Sequence, residues 1–549
     1  MRTSKEFSAE ISSACWATYG LSHHRLDRRN PDIYKITGVI MDLHRYICGL
    51  SFLFFGLILT SSAFAQPAPL AGFNEYAEKA RVDWEVPGMA IAVVKDDKIV
   101  YAKGFGVRKL GETAPVDEKT IFAIGSSSKA FTTASLAILV DEGKIKWDDR
   151  VSKYLPEFEV YDPYVTRELT IRDLITHRSG LERGDFLWYG TENSRAEILR
   201  RTRFIKPTWS LRSTFGYQNL MYLAAGTIVE RVSGKTWDQF VAERIFAPLG
   251  MNASGTSIKT FKQGDNVAAP HAKMEDKVES IPWRDIDNIA PAGSINSNVL
   301  DVAQWIRLQL GAGTFDGKKI FSPSVSKEMH MGQTIIRLEG QQALSYPEAH
   351  FLNYGMGWFL SDYKGRKLIE HGGAIDGMRA EVALVPEDKL GVVILTNMNG
   401  SLISMPLLYR IIDSFAGLPQ KDYSADLLKT YRSLVEAGAA AEKKAEAERV
   451  LNTKPSLELA KYVGTYTSEL YGDVKITMDG DRLKMAFGPA FVTPLEHWNY
   501  DTFRGRFFAA GVSKPSVTFA INAQGKADSL ILGMPGMAAY PFKKAPDAK

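Results

Sequence analysis

The sequence predicts an α/β domain, one antiparallel sheet flanked by helices with an inserted helical region, followed by a small all-β domain. Three observations lead there. A β-rich hairpin pattern occupies residues 89–102, four further β-rich segments fall between residues 357 and 396, and the stretch between them is mostly helical in its apolar spacing. Strands at both ends of one region with helices between them bury their apolar faces most simply by joining in a single sheet. Beyond residue 455 the pattern changes to short strands separated by Gly, Asp and Asn turns.

In chain order, residues 1–40 are polar and lack periodicity, and translation is expected to start at Met41. Residues 41–65 then read as a secretory signal peptide: Arg45 in a short polar start, an apolar core over residues 46–60, and Ala63-Phe64-Ala65 as the cleavage site. The apolar run is short for a membrane span, so any membrane attachment would be through an uncleaved leader. The expected location is the periplasm or the exterior. Cys15 and Cys48, the chain's two cysteines, both precede the cut, so the mature protein would have no disulfide and no thiolate chemistry.

Residues 66–420 are expected to form the catalytic domain, starting with an amphipathic helix at residues 73–82 and a hairpin turning at Lys95-Asp96-Asp97-Lys98. Residues 121–124 read as a strand end running into Gly125-Ser126-Ser127-Ser128-Lys129 and an apolar helix at residues 130–140. Residues 171–177, 218–232 and 299–310 carry the clearest helical spacing of the insertion. The late strands are placed at residues 357–361, 367–370, 380–385 and 390–396. Residues 421–455 are rich in Ala, Glu and Lys and read as an exposed helical linker, and residues 456–549 as the β-rich domain.

The chemistry centres on Ser126 and Lys129. Three residues apart on a helix, they share a face, and a buried amine could take the hydroxyl's proton if its pKa is lowered. Ser-x-x-Lys is common, and Ser324-Val325-Ser326-Lys327, behind Ser322-Pro323, reads as an ordinary helix start. Tyr217-Gln218-Asn219 precedes a helix; a phenol there could shuttle a proton and an amide could orient a carbonyl, while a buried core tyrosine capped by a turn is the more ordinary reading of the motif alone. His371-Gly372-Gly373-Ala374 follows a strand, where two glycines admit close approach of a ligand or simply make a turn.

No Gly-x-Ser-x-Gly elbow, dinucleotide glycine pattern, Walker A loop or His-Glu-x-x-His is present, so no cofactor or metal is expected. The net charge of +4 is small for 549 residues and suggests no nucleic-acid partner. The expected partner is a small molecule or short peptide, as substrate.

Taken in order, Ser126-x-x-Lys129, Tyr217-x-Asn219 and His371-x-Gly373 resemble the serine β-lactamase and penicillin-binding protein superfamily, and most closely its branch of class C β-lactamases, D-aminopeptidases and related esterases. The resemblance covers about residues 73–417. It implies a β-lactamase/transpeptidase-like fold, Ser126 as the acylated nucleophile, Lys129 and Tyr217 as shared general base and acid, and Asn219 on the substrate amide. The N–H groups of Ser126 and Ala374 would form the oxyanion hole. The last domain is similar to a β-rich, barrel-like module attached to such hydrolases. Two departures bear on substrate: His371 stands where the third motif usually has lysine, and Arg178 replaces a small residue in the loop of His177, from which it could supply a cation. The expectation is therefore an exported amide or ester hydrolase, with a class C-like β-lactamase or a non-catalytic penicillin-binding sensor as alternatives.

Overall fold

The computed structural model describes residues 69–546 apart from 275, 508–513, 535–536 and 538. The extension and leader expected at residues 1–65 lie outside the described residues.

The chain opens with helix α1 (Phe73–Asp83) and the hairpin β1 (Gly88–Lys95) and β2 (Lys98–Gly106). Asp96 and Asp97 take φ of 49° and 62°, the paired left-handed conformation of a two-residue hairpin turn whose twist matches its strands. Helices α2 (Ser128–Asp141), α3 (Asn219–Ser233) and α4 (Val299–Leu310) are the long helices of the inserted region. Six more strands follow: β3 (Thr334–Ile336), β4 (Leu352–Tyr354), β5 (Phe359–Tyr363), β6 (Arg366–Ile375), β7 (Met378–Val385) and β8 (Leu390–Thr396). They join the hairpin in one antiparallel sheet of eight, ordered β2-β1-β8-β7-β6-β5-β4-β3. The first and last strands of the domain are thus neighbours, with Met89 opposite Thr396 and Val93 opposite Val392.

Helices cover both faces of that sheet. Met89, Ile91 and Val93 pack with Phe73 and Ala77 of α1 and with Leu407 and Ile411 of α5 (Ser404–Phe415). Ala90, Ala92 and Val94, pointing the other way, pack into the core that holds α2, α3 and α4. Two-sided burial explains why β1 and β8 read as unbroken apolar runs rather than alternating ones.

Within this sheet the structure lengthens β2 and β6 and adds β3 and β4. His371, Gly372, Gly373 and Ala374 are part of β6 rather than a turn after it. Glycines weaken the β signal, yet here one is required, because a Cβ on Gly373 would lie 1.8 Å from the Ile124 carbonyl oxygen. Past Glu370 the outer edge of β6 has no strand beside it, since β5 ends at Phe359 opposite Glu370. The segment Gly125–Ser127 sits against that free edge instead. Strands β3 and β4 lie in a stretch the sequence left without structure. Ser324 and Lys327 belong to the helix Pro323–Met329, capped by Ser322.

Helix α6 (Tyr423–Ala447) leads, largely exposed, to eight short strands: β9 (Gly464–Ser468), β10 (Gly472–Asp479), β11 (Arg482–Phe487), β12 (Phe491–Asn499), β13 (Thr502–Arg504), β14 (Ser516–Ile521), β15 (Ala527–Gly533) and β16 (Pro541–Lys544). They form a closed barrel. Pairing of Tyr466 with Lys544 closes it, which removes the exposed strand edges that an open sheet would carry. Strands β13 and β16 went unread in the sequence: one is three residues long and the other begins with proline.

Candidate active site

Ser126 sits in a 3-10 turn, Gly125–Ser127, that feeds directly into α2. Gly125 has φ 50° and a Cβ there would stand 2.5 Å from the Ala374 nitrogen, so glycine lets the turn press on the backbone of β6. Ser128 accepts from the Ile295 N–H and Thr132 donates to the Pro291 carbonyl, fastening α2 to the Ala290–Gly293 turn.

Lys129 is fully buried. Its Nζ lies 2.9 Å from Ser126 Oγ and 2.8 Å from the Ala292 carbonyl oxygen. Burial pulls its pKa well below the ordinary lysine value, the nearby Arg183 charge adds to the depression, and Asp185 opposes it. A neutral amine can donate to Ala292 and still offer its lone pair to the Ser126 proton.

Tyr217 comes from the segment that leads into α3. The Gln218 side chain caps that helix, accepting from the Leu220 N–H, while the Gln218 N–H donates to His177 Nδ1 at 3.0 Å. The Gly216 N–H donates to the His177 carbonyl. His177, buried at φ 54°, thereby fixes the backbone on both sides of Tyr217, and its ring lies 4.2 Å from the Tyr217 ring. The Lys129 Nζ is 4.8 Å and the Arg183 guanidinium 5.0 Å from the Tyr217 ring centre. Burial raises the Tyr217 pKa, opposed by a hydrogen bond with Ser126 and by Arg183. The phenol is therefore protonated at rest and able to hand on a proton.

Ser126, Tyr217, Asn219, His371, Gly373 and Ala374 line one cleft of about 570 Å³, and Lys129 lies beneath it. Asn219 donates to Asp185 Oδ1 at 2.8 Å, and the same carboxylate takes the Trp188 Nε1–H and the Arg183 Nε–H. The sequence reading missed Asp185 and Arg183. In Leu181-Glu182-Arg183-Gly184-Asp185 they look like any solvated charged loop.

His371 is buried, with Nε2 3.0 Å from the Tyr354 hydroxyl and Nδ1 2.6 Å from the Gly372 carbonyl oxygen. Burial, aided by Lys129, pushes its pKa down to about 3. It is neutral at pH 7 and brings no cation to the cleft. Nor does Arg178, which donates to the buried Asp173 at 2.6 Å and holds the loop instead. The guanidiniums that do line the cleft are those of Arg183 and Arg379.

Comparisons with known proteins agree with this architecture. The chain is 28% identical to the unguisins hydrolase ungD of Aspergillus violaceofuscus (strain CBS 115571) over 480 residues, 81% of this chain and 83% of that one. It is 28% identical to penicillin-binding protein 4 of Amycolatopsis lactamdurans over 337 residues, 60% of this chain and 86% of that one. The octameric penicillin-binding protein homologue from Pyrococcus abyssi superposes with a TM-score of 0.58 at 23% identity, over 86% of this chain and all of that one, which shows a shared fold. Residues 448–544 match a domain of unknown function, DUF3471. Residues 74–415, with the Ser126 turn, the Tyr217 segment and β6 all inside them, match the beta-lactamase family, and the chain belongs to that family.

Proposed function

We propose that this protein is an exported serine hydrolase that cleaves amide or ester bonds of short peptides or small esters through an acyl-enzyme on Ser126. The observation that carries the reading is a fully buried Lys129 amine, 2.9 Å from the Ser126 hydroxyl, with no carboxylate bonded to it among the described residues. Ser126 Oγ adds to the substrate carbonyl as its proton passes to Lys129, and the oxyanion forms at the N–H groups of Ser126 and Ala374. Asn219 orients the substrate amide. When the carbonyl–heteroatom bond breaks, the leaving group takes the proton from Lys129 by way of the Tyr217 phenol. Water then attacks the Ser126 ester, its proton goes to the same amine, and the acid is released with the hydroxyl restored. The hydrolase among the relatives supports a reaction that turns over. A neutral His371 favours substrates without a carboxylate at that point over β-lactam antibiotics.

The test is a panel of nitrophenyl esters, short D- and L-peptides and nitrocefin, run on wild type and Ser126→Ala together. Wild type is expected to hydrolyse esters or peptides faster than nitrocefin, and the variant to fall to background. Full activity in Ser126→Ala would remove the mechanism, and nitrocefin as the best substrate would reverse the substrate assignment. Export rests on the leader pattern of residues 41–65. Expressed in an exporting host, the mature protein should begin at Gln66, as N-terminal sequencing would read.

A further inference from the structure

The cleft continues past Ser126, around the free edge of β6, to the opposite face of the sheet. Side chains alternate along a strand. Gly373 faces Ile124 and the α2 side, so Glu370 and Gly372 face the other way. Glu381 on β7 is paired with Gly372 and shares that face. A Cβ on Gly372 would lie 3.3 Å from Glu381 Oε2. With only hydrogen there, the edge between the Ser126 side and the glutamates stays open.

Glu370 and Glu381 both line the cleft and are 3% and 6% exposed. Their carboxyl groups lie side by side and act on each other, and the Tyr346 hydroxyl donates to Glu370 Oε1. Burial raises the pKa of both carboxyls, and two touching carboxylates cannot both ionise, so the pair holds a proton. Among the described residues, no cation acts on either group. Arg379 precedes Glu381 by two residues, but the side chains that act on it are those of Tyr431 and Asp376. Glu381 Oε1 is buried without any hydrogen-bond partner. Folded proteins leave few such atoms unsatisfied, and an acidic acceptor lining a cleft lacks its donor until a ligand brings one.

We infer that Glu370 and Glu381 form a subsite for a protonated primary amine on the substrate whose acyl carbonyl is held at Ser126. An ammonium group carries three donors and no acceptor, which suits an acceptor pair with one atom free. The passage over Gly372 sets how far the amine lies from the scissile carbonyl, so the subsite selects chain length as well as charge. This deepens the hydrolase reading and rests on it.

The experiment compares nitrophenyl esters of ω-amino acids, two to six carbons long, with the N-acetylated ester of each. At one chain length wild type is expected to favour the free amine about tenfold or more in kcat/KM, close to 1.4 kcal/mol. Glu381→Gln should reduce that preference to less than about twofold while hydrolysing the acetylated esters about as fast as wild type. An alkylammonium ion of the favoured length should compete with nitrophenyl acetate in wild type and not in the variant. Equal rates for amino and acetylated esters at every length would overturn the subsite, as would a preference that survives Glu381→Gln. If the variant does not fold, the wild-type series decides by itself. Loss of amine preference with ester turnover intact removes only the subsite, whereas activity surviving in Ser126→Ala removes the hydrolase reading beneath it.

Discussion

Lys129→Met is expected to lower kcat/KM for a nitrophenyl ester about 10⁴-fold, and the double variant Ser126→Ala, Lys129→Met no further than either change alone. In the proposed mechanism nucleophile and base act on one proton, and groups that act as a unit show such non-additive losses. The structure supplies the reason: among the described residues, the hydrogen bonds of Lys129 Nζ go to Ser126 Oγ and the Ala292 carbonyl oxygen. The pH profile provides a second check. Since burial holds the Lys129 pKa well below 10.5, the rising limb of wild-type kcat/KM should lie well below the ordinary lysine range. A limb near pH 10 would show that the amine is not the base. Stability should move with pH in the same sense as activity. The folded-state pKa is depressed, so between it and 10.5 the unfolded chain binds more protons and wild-type stability falls as pH falls. Methionine has no proton to gain, so the stability of the variant relative to wild type should improve steadily as pH is lowered from 10.5. Chemical denaturation at several pH values measures that slope, and a flat difference would mean that Lys129 is charged in the folded protein.

The parts of this site that could be read from sequence are those whose chemistry is local. Ser126 and Lys129 meet because they are one helical turn apart, and Asn219 follows Tyr217 by two residues at a helix start. What could not be read depends on register. Glu370 and Glu381 are eleven residues apart and meet only because β6 and β7 pair so that Glu381 falls opposite Gly372; a slip of one residue would send the two carboxyls to different faces. Burial was equally invisible. His371 is neutral because the fold buries it against Tyr354 and Phe359 and brings the Lys129 amine near it. Arg178 looked available for substrate, but the buried Asp173 that holds it is fixed by Thr170 and Arg212, a cluster that only the folded loop assembles. The strand β6 was read too short for a related reason: its glycines lower the local β signal, while their value lies in how close Ile124 comes to Gly373.

Phe491→Ala in the barrel is expected to lose about 3 kcal/mol of stability or more and to lower ester turnover, although the barrel contributes no residue to the cleft. Phe491 is buried against Phe186 and Tyr189 of the inserted region, at ring separations of 5.7 and 5.9 Å. Phe186 adds Phe487 at 6.4 Å, and Gly190 at φ 68° leaves room for Ala490, which a Cβ would approach to 2.7 Å. Asp185 and Trp188, which reach Asn219 and the cleft, belong to that same short segment. The Tyr189 hydroxyl donates to Asp376, just past the end of β6, and Asp376 is also held by Arg284. The barrel therefore braces the loop whose Asp185 holds Asn219 on one side of the cleft and the end of β6 on the other. An aromatic pair so placed transmits loosening to the site as misorientation, to which rates are steep. Phe503→Ala is the control, because Phe503 packs on Tyr462 and Phe519 within the barrel. It should destabilise the barrel while sparing turnover at temperatures where the barrel stays folded. Phe186→Ala, made from the other side of the contact, should reproduce the catalytic loss of Phe491→Ala. Equal turnover in all three variants would reduce the barrel to an appendage of the catalytic domain.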